Sequence, residues 1–385
     1  MNAVRLQREL REYAQSIGID KIGFTTAAPF RELKNRLKRQ QELGYQSGFE
    51  EKDLEKRTEP ARLLDQAESI IAIAIAYPTK IENAPKGKKN ERRGIFCRAS
   101  WGTDYHIVLR EKLALLEQFI YERVPEAKLR SMVDTGELSD RAVAERAGIG
   151  WSGKNCSIIT PEFGSYVYLG EMITNIPFAP DVPLEDECGD CRLCLDACPT
   201  GALIQGGQIN AQRCISFLTQ TKTTIPEEFR AKIGNRVYGC DTCQTVCPKN
   251  KRKHNLHRTE TFEPDPELAK PLLQPILQLS NRQFKEQFGQ VAGSWRGKNP
   301  IQRNAIIAIG HFKDESAVPM LNNLLQEDPR PVIRGTIAWA LGEISSEASK
   351  QAIDAALVTE QEPDVRAELL KARSNWKEKV GELRK

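Results

Sequence analysis

Apolar residues recur along this chain in distinct rhythms. Leu6, Leu10, Tyr13 and Ile17 stand four, three and four residues apart, which puts them on one face of a helix over residues 1–17. Gly18 stops that helix, and Asp20-Lys-Ile-Gly-Phe24 reads as a short strand. Residues 30–64 are charged and helical. Residues 69–77 form an apolar run ended by Pro78, the pattern of a strand buried on both faces. A polar surface loop follows over 80–93. The pattern then predicts a helix over 101–122, a strand over 128–134 and a helix over 140–147, ended by Gly148. A glycine-dense loop, Gly148-Ile-Gly-Trp-Ser-Gly-Lys-Asn155, leads into strands at 157–160 and 165–169. Strands alternating with helices predict an α/β layer up to about residue 180.

The end of the chain repeats itself. Gln302-Arg-Asn-Ala-Ile-Ile-Ala-Ile-Gly310 returns 32 residues later as Arg334-Gly-Thr-Ile-Ala-Trp-Ala-Leu-Gly342. Arg366-Ala-Glu-Leu-Leu-Lys-Ala372 opens a third copy, and Pro331 and Pro363 share its register. Each copy reads as helix, turn, helix. This is a short HEAT-like array, whose units bury their apolar faces by stacking. Pro264, Pro266, Pro271 and Pro275 mark a linker before it. The predicted architecture is therefore an α/β (α+β) core over 1–180, a cysteine-rich insert over 181–250, a linker or helical segment over 251–299 and an all-α HEAT-like domain over 300–385.

The cysteines supply the first chemistry. Cys188-Gly-Asp-Cys191-Arg-Leu-Cys194-Leu-Asp-Ala-Cys198-Pro199 is C-x2-C-x2-C-x3-C-P, the spacing of ferredoxins that hold two [4Fe–4S] clusters. Cys240-Asp-Thr-Cys243-Gln-Thr-Val-Cys247-Pro248 repeats it without the leading cysteine, and Cys214 fills that gap. In such runs the cysteine before proline ligates the other cluster. One cluster then takes Cys188, Cys191, Cys194 and Cys247, the other Cys198, Cys214, Cys240 and Cys243. Structural zinc also uses C-x2-C pairs, but it has no need of the x3-C-P tail in both runs.

Composition narrows the class. The 385 residues are 40% hydrophobic and 28% charged, with a net charge of +4, as in a soluble globular protein of two to three domains. No apolar run is long enough for a membrane span. The start, MNAVRLQREL, shows no apolar leader and no twin arginine, so no membrane association and a cytoplasmic location are expected. With no leader and with eight of the ten cysteines in cluster spacing, thiolate ligands rather than disulfides are expected. A net charge of +4 does not argue for nucleic-acid binding, which would need a local basic patch.

No G-x-G-x-x-G and no P-loop lysine is present, so no nucleotide fingerprint appears. The glycine-dense loop is equally a binding loop or a structural turn. Asp104-x-His106 opens like a D-x-H-x-x-G cobalamin signature, but Leu109 stands where glycine belongs, and His106 is read as a helix-surface or capping residue. Asp134 ends a strand, where open α/β sheets place ligands. Buried beside a cofactor, its carboxyl would rise in pKa and hold a proton to deliver; the alternative is a helix N-cap. Tyr105 donates a proton or packs. Cys97 and Cys156 read as small core residues.

Together these stretches resemble the epoxyqueuosine reductase family. The resemblance rests on Asp104-Tyr-His106, Asp134-Thr, Glu145-Arg-Ala-Gly-Ile-Gly-Trp-Ser-Gly-Lys-Asn155, Gly164-Ser-Tyr-Val-Tyr-Leu-Gly-Glu171, Cys198-Pro-Thr-Gly-Ala202, Arg213-Cys-Ile-Ser216, Tyr238-Gly-Cys-Asp-Thr-Cys-Gln244 and Val246-Cys-Pro248. It implies a core shared with reductive dehalogenases, holding cobalamin beside the two-cluster insert. It implies reduction of the epoxide of epoxyqueuosine, at the wobble position of tRNA, to queuosine. Asp134 is then the proton donor, with Tyr105 as a possible second. Arg57, Cys97, Asp134, Ile158, Leu169 and Ser216 then lie around the corrin. The partners implied are the tRNA anticodon stem-loop and an external electron donor such as flavodoxin or ferredoxin, with the chain a monomer. The chain departs from the family pattern at Cys97-Arg-Ala-Ser-Trp-Gly-Thr, at Asp134-Thr-Gly-Glu-Leu and at Lys249. For tRNA phosphates the basic residues are Lys249, Lys251, Arg252, Lys253 and Arg258, then Arg296, Lys298 and Arg303. Competing readings are a corrinoid reductive dehalogenase and a ferredoxin-type electron-transfer protein with a docking domain.

Overall fold

The most apolar stretch of the chain becomes an inner strand of its sheet. A computed structural model describes residues 2–253 and 261–383, with side chains to residue 375, so Arg258 lies outside the described residues. The chain forms two units, one of Met1–Lys80, Arg98–Cys214 and Asp241–Glu263, the other of Ile81–Cys97, Ile215–Cys240 and Pro264–Lys385.

The first unit is built on a four-stranded sheet. Its strands are β1 (Lys21–Thr26), β2 (Ser69–Ala76), β3 (Leu129–Met132) and β4 (Val167–Thr174), in the spatial order β1-β2-β4-β3. All eight residues of β2 are buried. Every pairing is antiparallel. A strand–helix–strand succession gives parallel strands only when the connection crosses the sheet from end to end. Here Thr26 of β1 faces Ser69 of β2, so that connection leaves and returns at the same edge. The sheet is thus of the α+β kind, and the argument that placed ligands at the carboxyl ends of parallel strands does not apply to Asp134.

Helices cover both faces. α1 (Ala3–Ser16) starts at the N-cap Asn2 and buries Leu6, Leu10 and Ala14. α2 (Tyr105–Tyr121) begins four residues later than the pattern predicts, because Asp104 caps it by accepting the His106 N–H at 3.0 Å. Leu10, Leu109, Leu113 and Leu116 join Ile71, Ile73 and Met172 in one core. α3 (Asp140–Arg146) covers the other face, with Val143 and Ala144 against Ile70, Ala72, Met132 and Ile173. Each such buried aliphatic side chain stabilises by about 1.5–3 kcal/mol. Strand β4 runs five residues past its predicted end, to Thr174. By its two-residue alternation Val167, Leu169, Glu171 and Ile173 share the α3 face.

In the second unit the repeats take the predicted form. The recurring motifs lie on helices Lys298–Phe312, Pro331–Ile344 and Pro363–Leu383. The glycine ending each of the first two copies marks a close helix approach. A Cβ on Gly310 would stand 3.0 Å from the Cα of Ala340, and one on Gly342 2.9 Å from the Cβ of Ala372. Among the described residues no helix is long and apolar enough to cross a membrane.

Arg303 overturns its expected role in tRNA contact. It is 1% exposed. Its guanidinium donates to the carbonyls of Leu218 (2.8 Å), Thr221 (2.7 Å) and Thr223, and to the side chain of Asn304. Asn304 in turn donates to Thr219 and Val237, each at 2.8 Å. No phosphate can reach this group. Arg303 is a structural anchor for the first repeat helix, and burial pushes its guanidinium down to about 9, still charged at neutral pH. Arg303→Ala orphans buried carbonyls and is expected to lower unfolding stability on the order of 3 kcal/mol, read by urea denaturation.

Candidate functional site

The two cysteine runs fold alike. Each C-x2-C leads into a four-residue helix, Leu193–Asp196 or Thr242–Thr245, and these two helices pack together. Each then turns at Cys-Pro. The Cys198 N–H donates to Leu195 and the Cys247 N–H to Gln244, both at 3.2 Å. The crossed partner Cys247 stands among the first run's thiols. Burial pushes Cys247 up, and Cys188 and Cys191 push it further. Burial also raises Cys194, with Cys247 and Cys188 adding to it. Cys198 is also pushed up by burial, but the N–H groups of Leu203, Thr200 and Ala202 outweigh that and lower it.

The glycine-dense loop serves this centre. Trp151–Ser152 pairs with Ile158–Ile159, making the loop a hairpin. Trp151 and Ile159 pack on Cys247, with Cys188 beside them, as an apolar wall. Gly148 has φ +68°, and a Cβ there would meet the Val182 carbonyl at 2.6 Å. These glycines answer to close packing.

A second cluster of ionisable groups gathers where β3 ends. Asp134 has a left-handed backbone, φ +48°, and caps no helix, since Ser139 is the N-cap of α3. Its side chain is 60% exposed and so open to a ligand. His106, in the first turn of α2, lies between two carboxylates. Its Nδ1 is 2.7 Å from Asp104 Oδ1 and its Nε2 3.4 Å from Asp134 Oδ2. The second contact has ion-pair distance without the alignment of a made hydrogen bond, so Nε2 is buried and unsatisfied. Burial alone would push the imidazole down, but Asp104 and Asp134 outweigh it and raise it to about 9. His106 is an imidazolium at neutral pH. It holds the Asp134 carboxyl below its ordinary value, with burial opposing and the Tyr105 hydroxyl, hydrogen-bonded to Asp134, assisting. The raised carboxyl expected from the sequence is therefore reversed, and the mobile proton sits on His106. Tyr105 stacks on His106 (4.1 Å) and on Tyr168 (4.5 Å).

Two more acids stand behind Asp134. The Asp134 N–H donates to Asp140 Oδ2 at 2.8 Å. Burial pushes Asp140 up to about 6, and the Asp134 charge adds to it. Glu171, in the middle of β4, is 1% exposed. Burial and the neighbouring Asp140 push its carboxyl well above the ordinary range. The sequence analysis set His106 aside and gave Asp140 and Glu171 no role. A single acid in the strand Val-Tyr-Leu-Gly-Glu-Met-Ile-Thr was the available signal.

Other predicted residues scatter. Leu169 is half-buried, and the Ile158 side chain is in the core beneath it, so Ile158 can meet a ligand only through its backbone. Arg57 is half-buried, burial lowers its pKa, and its guanidinium makes no hydrogen bond or ion pair among the described residues. In the second unit, Cys97 packs on Gly239, whose Cβ would meet its Sγ at 2.3 Å, and Ser216 lies on the helix Ile215–Leu218. Of the basic residues, Lys249 pairs with Glu187, Lys253 donates to the Pro161 carbonyl, Lys298 donates to that of Leu279, and Arg296 to that of Gln220. Lys251 and Arg252 are exposed and make no ion pair among the described residues.

Comparison with known proteins agrees with this geometry. The family model for the epoxyqueuosine reductase QueG, DUF1730, matches residues 57–135, a 4Fe-4S double cluster binding domain matches 187–250, and HEAT repeats match 297–372. Epoxyqueuosine reductase of Bacillus subtilis is 65% identical over 371 residues, covering 96% of this chain and 96% of that protein. A crystal structure of epoxyqueuosine reductase with an epoxyqueuosine-modified tRNA-Tyr stem loop superposes at a TM-score of 0.95, with 64% identity over 98% of this chain and 100% of the other. A Bacillus subtilis structure described as having its Asp134 catalytic loop swung out of the active site superposes at 0.95, with 63% identity over 97% of this chain and all of the other. Reductive dehalogenases superpose at only 0.36, too low to speak to a shared core. Near-full-length identity of this size leaves one assignment: the chain belongs to the epoxyqueuosine reductase family of oxidoreductases.

Proposed function

We propose that this chain reduces the epoxide of epoxyqueuosine in a tRNA anticodon stem-loop to the alkene of queuosine. The observation that carries the reading is Asp134, held open on its left-handed turn between His106 and Tyr105. The overall change breaks two C–O bonds, forms a C=C bond, and consumes two electrons and two protons with loss of water. The reductant is a low-potential one-electron donor of the flavodoxin or ferredoxin class. The double-cluster domain supports electron entry through Cys188, Cys191, Cys194 and Cys247 at one cluster and Cys198, Cys214, Cys240 and Cys243 at the other. Cobalamin fits the residues present: Arg57 offers a half-buried donor without an acceptor, and Leu169 an apolar face. Arg57, Leu169 and the backbone of Ile158 are the residues of the first unit proposed to hold it. When bound it supplies a reduced cobalt centre.

The chain's own residues handle protons. Leaving oxygen gathers negative charge as the ring opens, and a proton quenches it. That proton starts on His106. Covering the site with tRNA removes water from Asp134 and raises its carboxyl. The proton then moves from His106 to Asp134 and on to oxygen, while Tyr105 steadies the carboxylate that remains. Affinity for the stem-loop comes from phosphate contacts, for which Lys251 and Arg252 are exposed and make no ion pair among the described residues.

Four outcomes test the reading. Anaerobic reconstitution should load about eight irons and eight sulfides per chain; four irons or bound zinc would refute the crossed ligand set. Asp134→Asn should lower turnover by roughly 10²–10⁴-fold with cobalamin and cluster content intact. In the unaltered chain turnover should fall as pH rises through about 9, where His106 loses its proton. The ion pairs of His106 stabilise the fold fully below the unfolded value of about 6.5 and are lost through that same range. Lys251→Gln with Arg252→Gln should weaken stem-loop binding and reduce the salt slope by about one per lost phosphate contact; an unchanged slope moves the tRNA site elsewhere.

A further inference from the structure

Glu171 is the least expected residue of the first unit. It lies mid-strand in β4, between Ala72 of β2 and Met132 of β3. Neither carboxyl oxygen has a hydrogen-bond partner, although both are buried. An ionised carboxylate so placed is strongly disfavoured, and even a neutral one with no partner is costly. A glutamine or a leucine would pack there without an ionisable group. The groups around it are one-sided. β2 presents nothing titratable, only the apolar run Ser69–Ala76. β3 presents Met132, with Asp134 just beyond it. α3 presents Asp140, whose charge acts on the Glu171 carboxyl and which accepts from the Asp134 N–H. From α2, His106 reaches Asp134, not Glu171. Arg57 lies near Asp140, and Arg141 near Asp134. Three carboxyl groups thus run from the middle of the sheet to the open side chain of Asp134, with positive charge beside Asp140 and Asp134.

The reaction needs two protons, and His106 holds one. We propose that Glu171 stores the second proton and passes it through Asp140 to Asp134 once the His106 proton is spent. The transfer breaks the Glu171 O–H bond and forms an O–H bond on Asp140, then on Asp134, then on the departing oxygen, which leaves as water. The two electrons come from the reductant named above. Solvent reprotonates Glu171 between turnovers, when the stem-loop has left. Glu171 touches no substrate: it is a positioning and storage residue acting through Asp140. The inference rests on the proposed role of Asp134.

The test uses the full-length chain. Without cobalamin, at about pH 7.5, ordinary carboxyl groups are ionised. Infrared spectra should show a carboxylic-acid C=O band that Glu171→Gln removes. Stability should also diverge. A carboxyl raised on folding contributes stability below its unfolded value of about 4.3, which is lost as pH rises through the folded value. Glu171→Gln should therefore gain stability relative to the parent as pH rises. In the reconstituted enzyme, the variant should keep its irons and cobalamin, lose roughly 10²-fold in turnover and begin its alkaline decline at lower pH. If Glu171→Gln does not fold, the parent's band and its shift in Asp140→Asn decide the matter. No band in the parent, a superimposable pH profile, or a variant whose only defect is lost cobalamin would each overturn the store. An inactive Asp134→Asn beside an unaltered Glu171→Gln profile would refute the store alone. Wild-type turnover in both would refute the role of Asp134 as well.

Discussion

One imidazolium organises the ionisable groups at the end of β3. His106 sits in the first turn of α2 because Asp104 caps that helix and binds the imidazole Nδ1 at 2.7 Å. The same ring then presents its Nε2 to Asp134. Without the charge on His106, Asp104 and Asp134 would be two carboxylates facing one another across a half-dry site. With it, Asp134 is ionised yet a proton stands one contact away. A helix cap, ordinarily a matter of local stability, here fixes the position and protonation of the pair proposed to move the proton. The strained φ of Asp134 fits that picture, since a left-handed non-glycine residue persists only where its surroundings over-determine it.

The sheet supplies the dry background against which those charges differ. Its inner strands are aliphatic on both faces, so an acid on β4 cannot be solvated from either side. Proton affinity therefore grades along the carboxyl chain by depth: lowest at exposed Asp134, intermediate at Asp140, highest at Glu171. Burial and like charge both act in that order. In the proposed relay this gradient keeps the proton on Glu171 until Asp134 becomes the stronger acceptor.

What the sequence disclosed, and what it hid, divides by range. The cysteine spacings and the 32-residue repeat were legible because each is set by neighbours in the chain: ligand geometry in one case, helix packing in the other. Asp134 was legible as a position at a strand's end. Its ionisation was not, because it depends on His106, Asp140 and Glu171, which only folding brings together. Strand direction was hidden for a related reason, since apolar alternation reads the same in either direction. Arg303 misled because arginine is usually exposed. The helix carrying it is buried on every side from Pro300 to Gly310, and the apolar run from Ala305 to Gly310 directly after Gln302-Arg303-Asn304 was the sign that its charge must be met indoors.

Electrons and protons are served by different kinds of structure within this chain, and the reason is physical. Cluster ligands tolerate short, irregular segments, because thiolate–iron bonds rather than packing hold them in place. Hence four-residue helices and Cys-Pro turns suffice there. A proton store has no such bonds. Its pKa is set by the exclusion of water, and exclusion requires extensive close packing. The acids accordingly occur where the core is best formed, on β4 and at the start of α3, rather than in the cysteine loops. In the proposed two-electron, two-proton reduction, a loosely built electron entry beside a tightly built proton store leaves neither half constraining the geometry of the other.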